Sequence, residues 1–106
     1  MFLACEGEAV YGSTYGLRDL QSSDAGRVGG TWVTPSHRRQ GIGRDLLRAV
    51  GFWAKEQGFR RLRLWAPAAS NAALSLYRQA GFSGTGYRRP LPTNASLEIV
   101  ELERTF

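Results

Sequence analysis

Between Gly41 and Gln57 apolar residues recur at helical spacing: Ile42, Leu46, Val50, Trp53 and Ala54, with Leu47 beside them. Arg44, Asp45, Arg48, Lys55 and Glu56 fall largely on the opposite side, so the spacing predicts an amphipathic helix. It stops at "EQGF", where Gly58 supplies a left-handed residue past the helix end and Phe59 the apolar contact that accompanies it. Next, "RLRLWA" alternates, with Leu62 and Leu64 facing one way and Arg61, Arg63 and Trp65 the other, which is the period of a strand. A second helix starts near Ser70 and Asn71, both good capping residues, and runs through "AALSLYRQA" to Gly81 and Phe82, repeating the stop signal.

On either side the pattern is that of strands. Phe2 to Arg18 reads as two antiparallel strands joined at Glu6 to Glu8, with Val10, Tyr11, Thr14 and Tyr15 favouring extended structure. "DLQSSDAG" is a turn-rich loop and "RVGGTWV" a third strand, in which Gly29 and Gly30 signal a bulge or a close approach by another backbone. Pro35 ends that strand, and Thr34 to Gln40 form its exit loop. The tail predicts a strand over Phe82 to Arg88, a proline-containing loop, and a last strand from Leu97 to Arg104 paired antiparallel with it. Strand, helix, strand, helix, strand in this order implies parallel pairing with right-handed crossovers and helices on the sheet faces. The expected fold is α/β, a mixed sheet of about six strands flanked by two main helices. Length points to one domain over residues 1–106.

Composition narrows the classes. With 42% hydrophobic and 22% charged residues, an ordinary globular protein is expected. No apolar run reaches the roughly 20 residues of a membrane span, and "MFLACEGEAV" does not resemble a secretory signal, so a cytoplasmic location is expected. A single cysteine and a single histidine argue against an internal disulfide and against a metal site. Fourteen Lys+Arg against nine Asp+Glu give +5, nearly all of the positive charge being arginine, whose planar fork of donors suits phosphates and carboxylates.

The start of the first helix has a chemical need. Its leading N–H groups have no intrahelical partner, and Gln40, Gly41, Ile42 and Gly43 provide no strong side-chain cap. Glycines at alternate positions clear the approach, the helix dipole favours negative charge, and Arg38 and Arg39 add to it, so a pyrophosphate fits. Neither a complete Gly-x-Gly-x-x-Gly nor a Walker loop occurs.

Arg38-Arg39-Gln40-Gly41-Ile42-Gly43, after "WVTPSH", resembles the Arg/Gln-x-x-Gly-x-Gly/Ala signature of the GNAT N-acetyltransferase superfamily. "ASNAALSLYRQAGF" looks like that family's second signature, an Asn opening a helix, a Tyr six residues later, then Gly-Phe. The resemblance implies acetyl-CoA as cosubstrate, its pyrophosphate held by backbone N–H groups from Arg39 through Gln40, Gly41, Ile42 and Gly43 to Arg44, beside Arg38. It implies that the main chain of Trp32, Val33 and Thr34 pairs with the pantetheine arm like an added strand, that Asn71 contacts the cofactor, and that Tyr77 protonates the departing thiolate.

The implied reaction is direct attack of an amine on the thioester, with a backbone N–H near Val33 polarising the carbonyl. The base is open: "RVGGTWV" has no carboxylate, and Glu6, Glu8, Asp19 and Asp24 remain candidates, each also read as a solvated surface group. Family members usually begin with a strand and one or two helices ahead of the hairpin at which this chain starts. A fragment, a minimal enzyme and a subunit completed in a homodimer are the three arrangements expected. Two other functions compete: an acyl-CoA-binding module without catalysis, and nucleic-acid binding through the arginines at 38, 39, 60, 61, 63, 88 and 89.

Overall fold

A computed structural model describes the backbone of residues 2–6, 9–20, 22–33 and 41–106, and the side chains of 12–20, 22–29 and 41–106. The hairpin strands are β1 (Phe2–Glu6) and β2 (Ala9–Arg18), followed by β3 (Ala25–Val33), α1 (Ile42–Glu56), β4 (Arg61–Pro67), α2 (Asn71–Gln79), β5 (Ser83–Leu91) and β6 (Asn94–Thr105). They form a six-stranded sheet among the described residues, in the order β1-β2-β3-β4-β6-β5. The β3–β4 pair is parallel and the other neighbours are antiparallel.

Both helices end as their sequences predict. Gly58 (φ 81°) donates to the Lys55 carbonyl and Phe59 to that of Ala54 at 3.0 Å, while Gly81 (φ 96°) donates to Arg78 and Phe82 to Tyr77, also at 3.0 Å. This pair of bonds uses the orphan carbonyls of a last turn, and only a residue that tolerates positive φ can make it cheaply. Phe59 and Phe82 are then buried, which anchors each helix end on the core.

The core lies on one face of the sheet. Leu62, Leu64 and Ala66 of β4 meet Leu47, Val50 and Ala54 of α1, and Leu74, Leu76, Tyr77 and Ala80 pack against the same cluster from the α2 side. Each fully buried Leu or Val contributes about 1.5–3 kcal/mol. The alternating order puts the helices against the sheet, and the two share one of its faces. The crossover from β3 to β4 and the one from β4 past β6 to β5 move the same way across the sheet, and crossovers of one hand moving one way put their helices on one face.

The insertion of β6 is a departure from the expected parallel pairing. Strand β5 runs in the direction of β4 but is not its neighbour, because β6 pairs with β4 from Arg61↔Thr105 to Pro67↔Ile99. Sequence explains the exchange. With Gly84, Gly86 and Pro90, β5 is mostly exposed and suits an edge, where a missing donor costs nothing. In contrast, β6 buries Ile99 and Leu102 and can take the interior place. Strand β3 starts at Ala25, two residues before "RVGGTWV", because Ala25 is fully buried and pairs with Arg61.

Candidate functional site

The parallel strands part company soon after they meet. Pairing of β3 with β4 covers only Ala25↔Arg61, Gly26↔Leu62 and Arg27↔Arg63. Beyond that rung β3 runs on to Val33, held by β2 through Ser13↔Trp32 and Gly12↔Val33, and β4 runs on to Pro67, held by β6. Among the described residues nothing pairs across the gap, so two strand edges face each other with backbone donors and acceptors unclaimed by the sheet. A bulge accompanies the parting: two steps of β2, Ser13 to Tyr15, are opposed by three of β3, Trp32 to Gly29. The extra residue on β3 increases its twist and turns it away from the flat sheet. Of the two roles read for the glycines, Gly29 serves a close approach, but by a side chain: a Cβ there would lie 2.3 Å from the Tyr15 ring.

The fork opens at the carboxyl ends of β3 and β4, which is also where both helices begin. In open α/β sheets this crevice is where ligands bind. Gly41 is the N-cap of α1, left-handed at φ 80° and ψ 4°, with no side-chain cap bond. Its carbonyl takes the Asp45 N–H at 3.0 Å, and the first N–H groups of the helix are left for something outside it. Gly43 follows in the first turn and Arg44 is exposed beside it. Thr34, Arg38, Arg39 and Gln40 lie outside the described residues, as do the side chains of Trp32 and Val33.

At α2 the structure divides two residues that look alike in sequence. Ser70 is the cap, extended at φ −93°, and its hydroxyl accepts from the Ala73 N–H at 3.2 Å. Asn71 is the first helical residue and is exposed, so its amide is not consumed by capping. Tyr77 lies about 9 Å further along the axis at 1.5 Å per residue. It is half-buried, and its ring meets Phe82 edge-on at 6.2 Å and 68°.

The sheet face opposite the helices carries a cluster that sequence reasoning missed. A cleft of about 900 Å³ runs over it, lined by Arg27, Arg63, Trp65, Thr85, Glu101 and Glu103 among others. Asp19, expected as a solvated group, is instead buried, with its Oδ2 3.3 Å from Arg27 Nε and 3.5 Å from Arg63 Nη1. Arg27 Nη2 donates to Glu101 at 2.6 Å and Arg63 Nε to Glu103 at 2.7 Å. The hydrogen bond to Glu103 holds the Arg63 guanidinium above its ordinary value against partial burial, with the charges of Glu103, Glu101 and Asp19 adding to it. A signal was present in the matched alternation of Arg61 and Arg63 with Glu101 and Glu103, whose strands turn out to be neighbours. Among the seven arginines considered for nucleic acid, Arg61 pairs with Asp24, Arg63 with Glu103 and Arg88 with Glu98.

The chain is similar to proteins of known family. It is 33% identical over 106 residues to an aminoglycoside N(6')-acetyltransferase type 1 of Stenotrophomonas maltophilia, covering 90% of this chain and 69% of that protein. It is 43% identical over 54 residues to N-acetyltransferase family 8 member 3 of Rattus norvegicus, covering 51% of this chain but only 24% of the relative. The fold matches the ribosomal-protein-S18-alanine N-acetyltransferase of Escherichia coli with a TM-score of 0.78 at 22% identity, over 95% of this chain and 64% of that one. It also matches a GNAT family acetyltransferase from Elizabethkingia anophelis with acetyl-CoA bound, with a TM-score of 0.83 at 20% identity, over 98% of this chain and 74% of that one. This chain thus spans about two-thirds of several of these proteins and a quarter of the rat relative. The profile described as "Acetyltransferase (GNAT) family" matches residues 1–82, and the chain belongs to that family.

Proposed function

We propose that the protein transfers the acetyl group of acetyl-CoA to an amine by direct attack, without an acyl-enzyme. The observation that carries this reading is the fork. An unclaimed β3 edge leads to a helix start that has no side-chain cap and opens on a left-handed glycine. An extended arm can add to a free strand edge through main-chain hydrogen bonds, and a pyrophosphate can take the free N–H groups of a helix start. Coenzyme A thioesters, acetyl-CoA among them, have both parts in that order.

In this reading the backbone of Trp32, Val33 and Thr34 receives the pantetheine arm, and the segment from Arg38 to Arg44 receives the pyrophosphate. Asn71, freed from capping by Ser70 and exposed at the start of α2, contacts the cofactor in this reading. The attacking amine must be neutral, so its ammonium form first gives up a proton. The nitrogen lone pair then bonds to the thioester carbon, a β3 N–H near Val33 steadies the oxyanion, and the C–S bond breaks. Tyr77 gives its phenolic proton to the departing thiolate, and the proton that the acetylated nitrogen sheds as the amide forms restores the phenol. The acceptor is an amine on a small molecule, a peptide or a protein, and the similarity to an aminoglycoside N(6')-acetyltransferase supports beginning a screen with aminoglycosides.

Calorimetric titration with acetyl-CoA tests the cosubstrate, and absence of saturable binding refutes it. For the acid, Tyr77→Phe is expected to lower turnover about 10²-fold or more, the scale of one proton-transfer group, with the acetyl-CoA Kd within about two-fold. Unchanged turnover removes Tyr77 from that role.

A further inference from the structure

Arg27 and Arg63 face each other on the last rung that β3 and β4 share. Two guanidiniums on adjacent strands repel, and three carboxylates answer them. Asp19 lies against both, 3.3 Å from Arg27 and 3.5 Å from Arg63. Glu103 bonds Arg63 at 2.7 Å and stands directly opposite it on β6, so that pair stays on the rung where the backbone is still paired. Glu101 behaves differently. It stands opposite Trp65, two residues beyond the rung, yet its Oε2 takes Arg27 Nη2 at 2.6 Å. This bond therefore runs from β3 across β4 to β6 on the open side of the fork, after the backbone ladder has ended. Thr85 of β5 donates to the other oxygen of Glu101 at 3.0 Å, and the Trp65 ring lies under Arg27 at 5.7 Å and Arg89 at 4.3 Å. The side chains of Arg27 and Glu101 are only 22% and 8% exposed, so solvent screens the contact weakly.

We propose that the Arg27–Glu101 tie sets the opening of the fork, which makes both of them positioning residues for the acyl arm. They act from the face opposite the helices and do not touch the arm. The lever is long: from Arg27 to Val33 β3 extends roughly 20 Å at ~3.3 Å per residue, so a rotation of about 3° at the rung moves its far end by about 1 Å. Three rungs of parallel pairing leave such a hinge free, whereas a side-chain bond across it does not. Displacements of about 1 Å at a reacting group cost up to about 10²-fold in rate. The inference rests on the acetyl-transfer reading, which has its own separate test.

Arg27→Lys provides one ammonium that cannot bond Asp19 and Glu101 as the fork of Arg27 does. The double variant Arg27→Met with Glu101→Met replaces the pair by apolar side chains, a change that buried ion pairs often tolerate in stability. Glu103→Gln is the control, breaking an ion pair on the rung itself. With melting temperatures recorded in parallel, both Arg27 variants are expected to raise the acetyl-CoA Kd roughly five-fold or more, the low end of coupling between two sites. Amide resonances of Val28–Val33 are expected to shift in them, while Glu103→Gln leaves affinity and those resonances near wild type. Unchanged affinity and resonances in the Arg27 variants, or an equal response in Glu103→Gln, overturn the proposal. If wild-type protein does not bind acetyl-CoA, the acetyl-transfer reading falls and the positioning role falls with it.

Discussion

Ser70 and Asn71 are both capping residues by type, and replacing each by alanine should separate a structural role from a functional one. The Ser70 hydroxyl accepts the Ala73 N–H at 3.2 Å, three residues on, which is the third position of the first turn. Removing it leaves that donor to water and costs about 1 kcal/mol. Helix α2 has nine residues and none fully buried, so it has little packing with which to absorb the loss. For a chain of this size, about 1 kcal/mol lowers Tm by roughly 4–8 °C, readable by circular dichroism or calorimetry. Asn71→Ala, at the first helical position, removes no cap and places a better helix former there, so Tm should move by less than about 2 °C. Its effect should fall on acetyl-CoA affinity, weakened by about 1 kcal/mol, the scale of one hydrogen bond, or roughly five-fold in Kd. If Asn71→Ala melts several degrees lower while Ser70→Ala does not, the capping assignment is wrong. If both variants bind acetyl-CoA like wild type, Asn71 has no part in the site.

Two further substitutions test the packing and the surface electrostatics. A Cβ on Gly16 would lie 2.4 and 2.6 Å from the Trp53 ring, which is held by Phe59 edge-on at 5.6 Å; Gly16→Ala is therefore expected to destabilise by about 1–3 kcal/mol in urea and to shift tryptophan fluorescence, and an unchanged midpoint refutes the close packing. The Asp24 carboxyl is held below its ordinary value first by the Ser22 hydroxyl at 2.6 Å and then by Arg61. Its preference for folding is therefore present above the ordinary carboxylate range and is lost as pH falls through the lowered folded value. Ser22→Ala should raise the Asp24 pKa toward the ordinary value in an NMR titration, and no movement would assign the effect elsewhere.

What could be read ahead of the structure was what depends on neighbours in sequence. The apolar stripe of α1, the alternation of Leu62 and Leu64, and the two Gly-Phe stops all lie within a few residues, and each formed as expected. The uncapped start of α1 was legible for the same reason, since a cap lies at or just before the first turn. Asp19 was misread as a surface group because it lies between Arg27 and Arg63, the second of them forty-four residues away in the chain, and the two come together only after β3 and β4 pair. The choice between Ser70 and Asn71 was closed because it turns on a single backbone dihedral.

By itself, then, the sequence determined the elements, the ends of the two helices and the family, all carried by short-range periodicity, capping chemistry and two compact motifs, while the tail strands ran further than expected, β5 through Pro90 to Leu91 and β6 from Asn94 to Thr105. Only the tertiary structure decided that β6 slips between β4 and β5, that both helices share one face, and that the parallel pair opens after Arg27 and Arg63. Those outcomes depend on which strand buries best beside β4 and on charges that meet across the sheet. Such contacts join residues far apart in sequence, and no local pattern encodes their geometry.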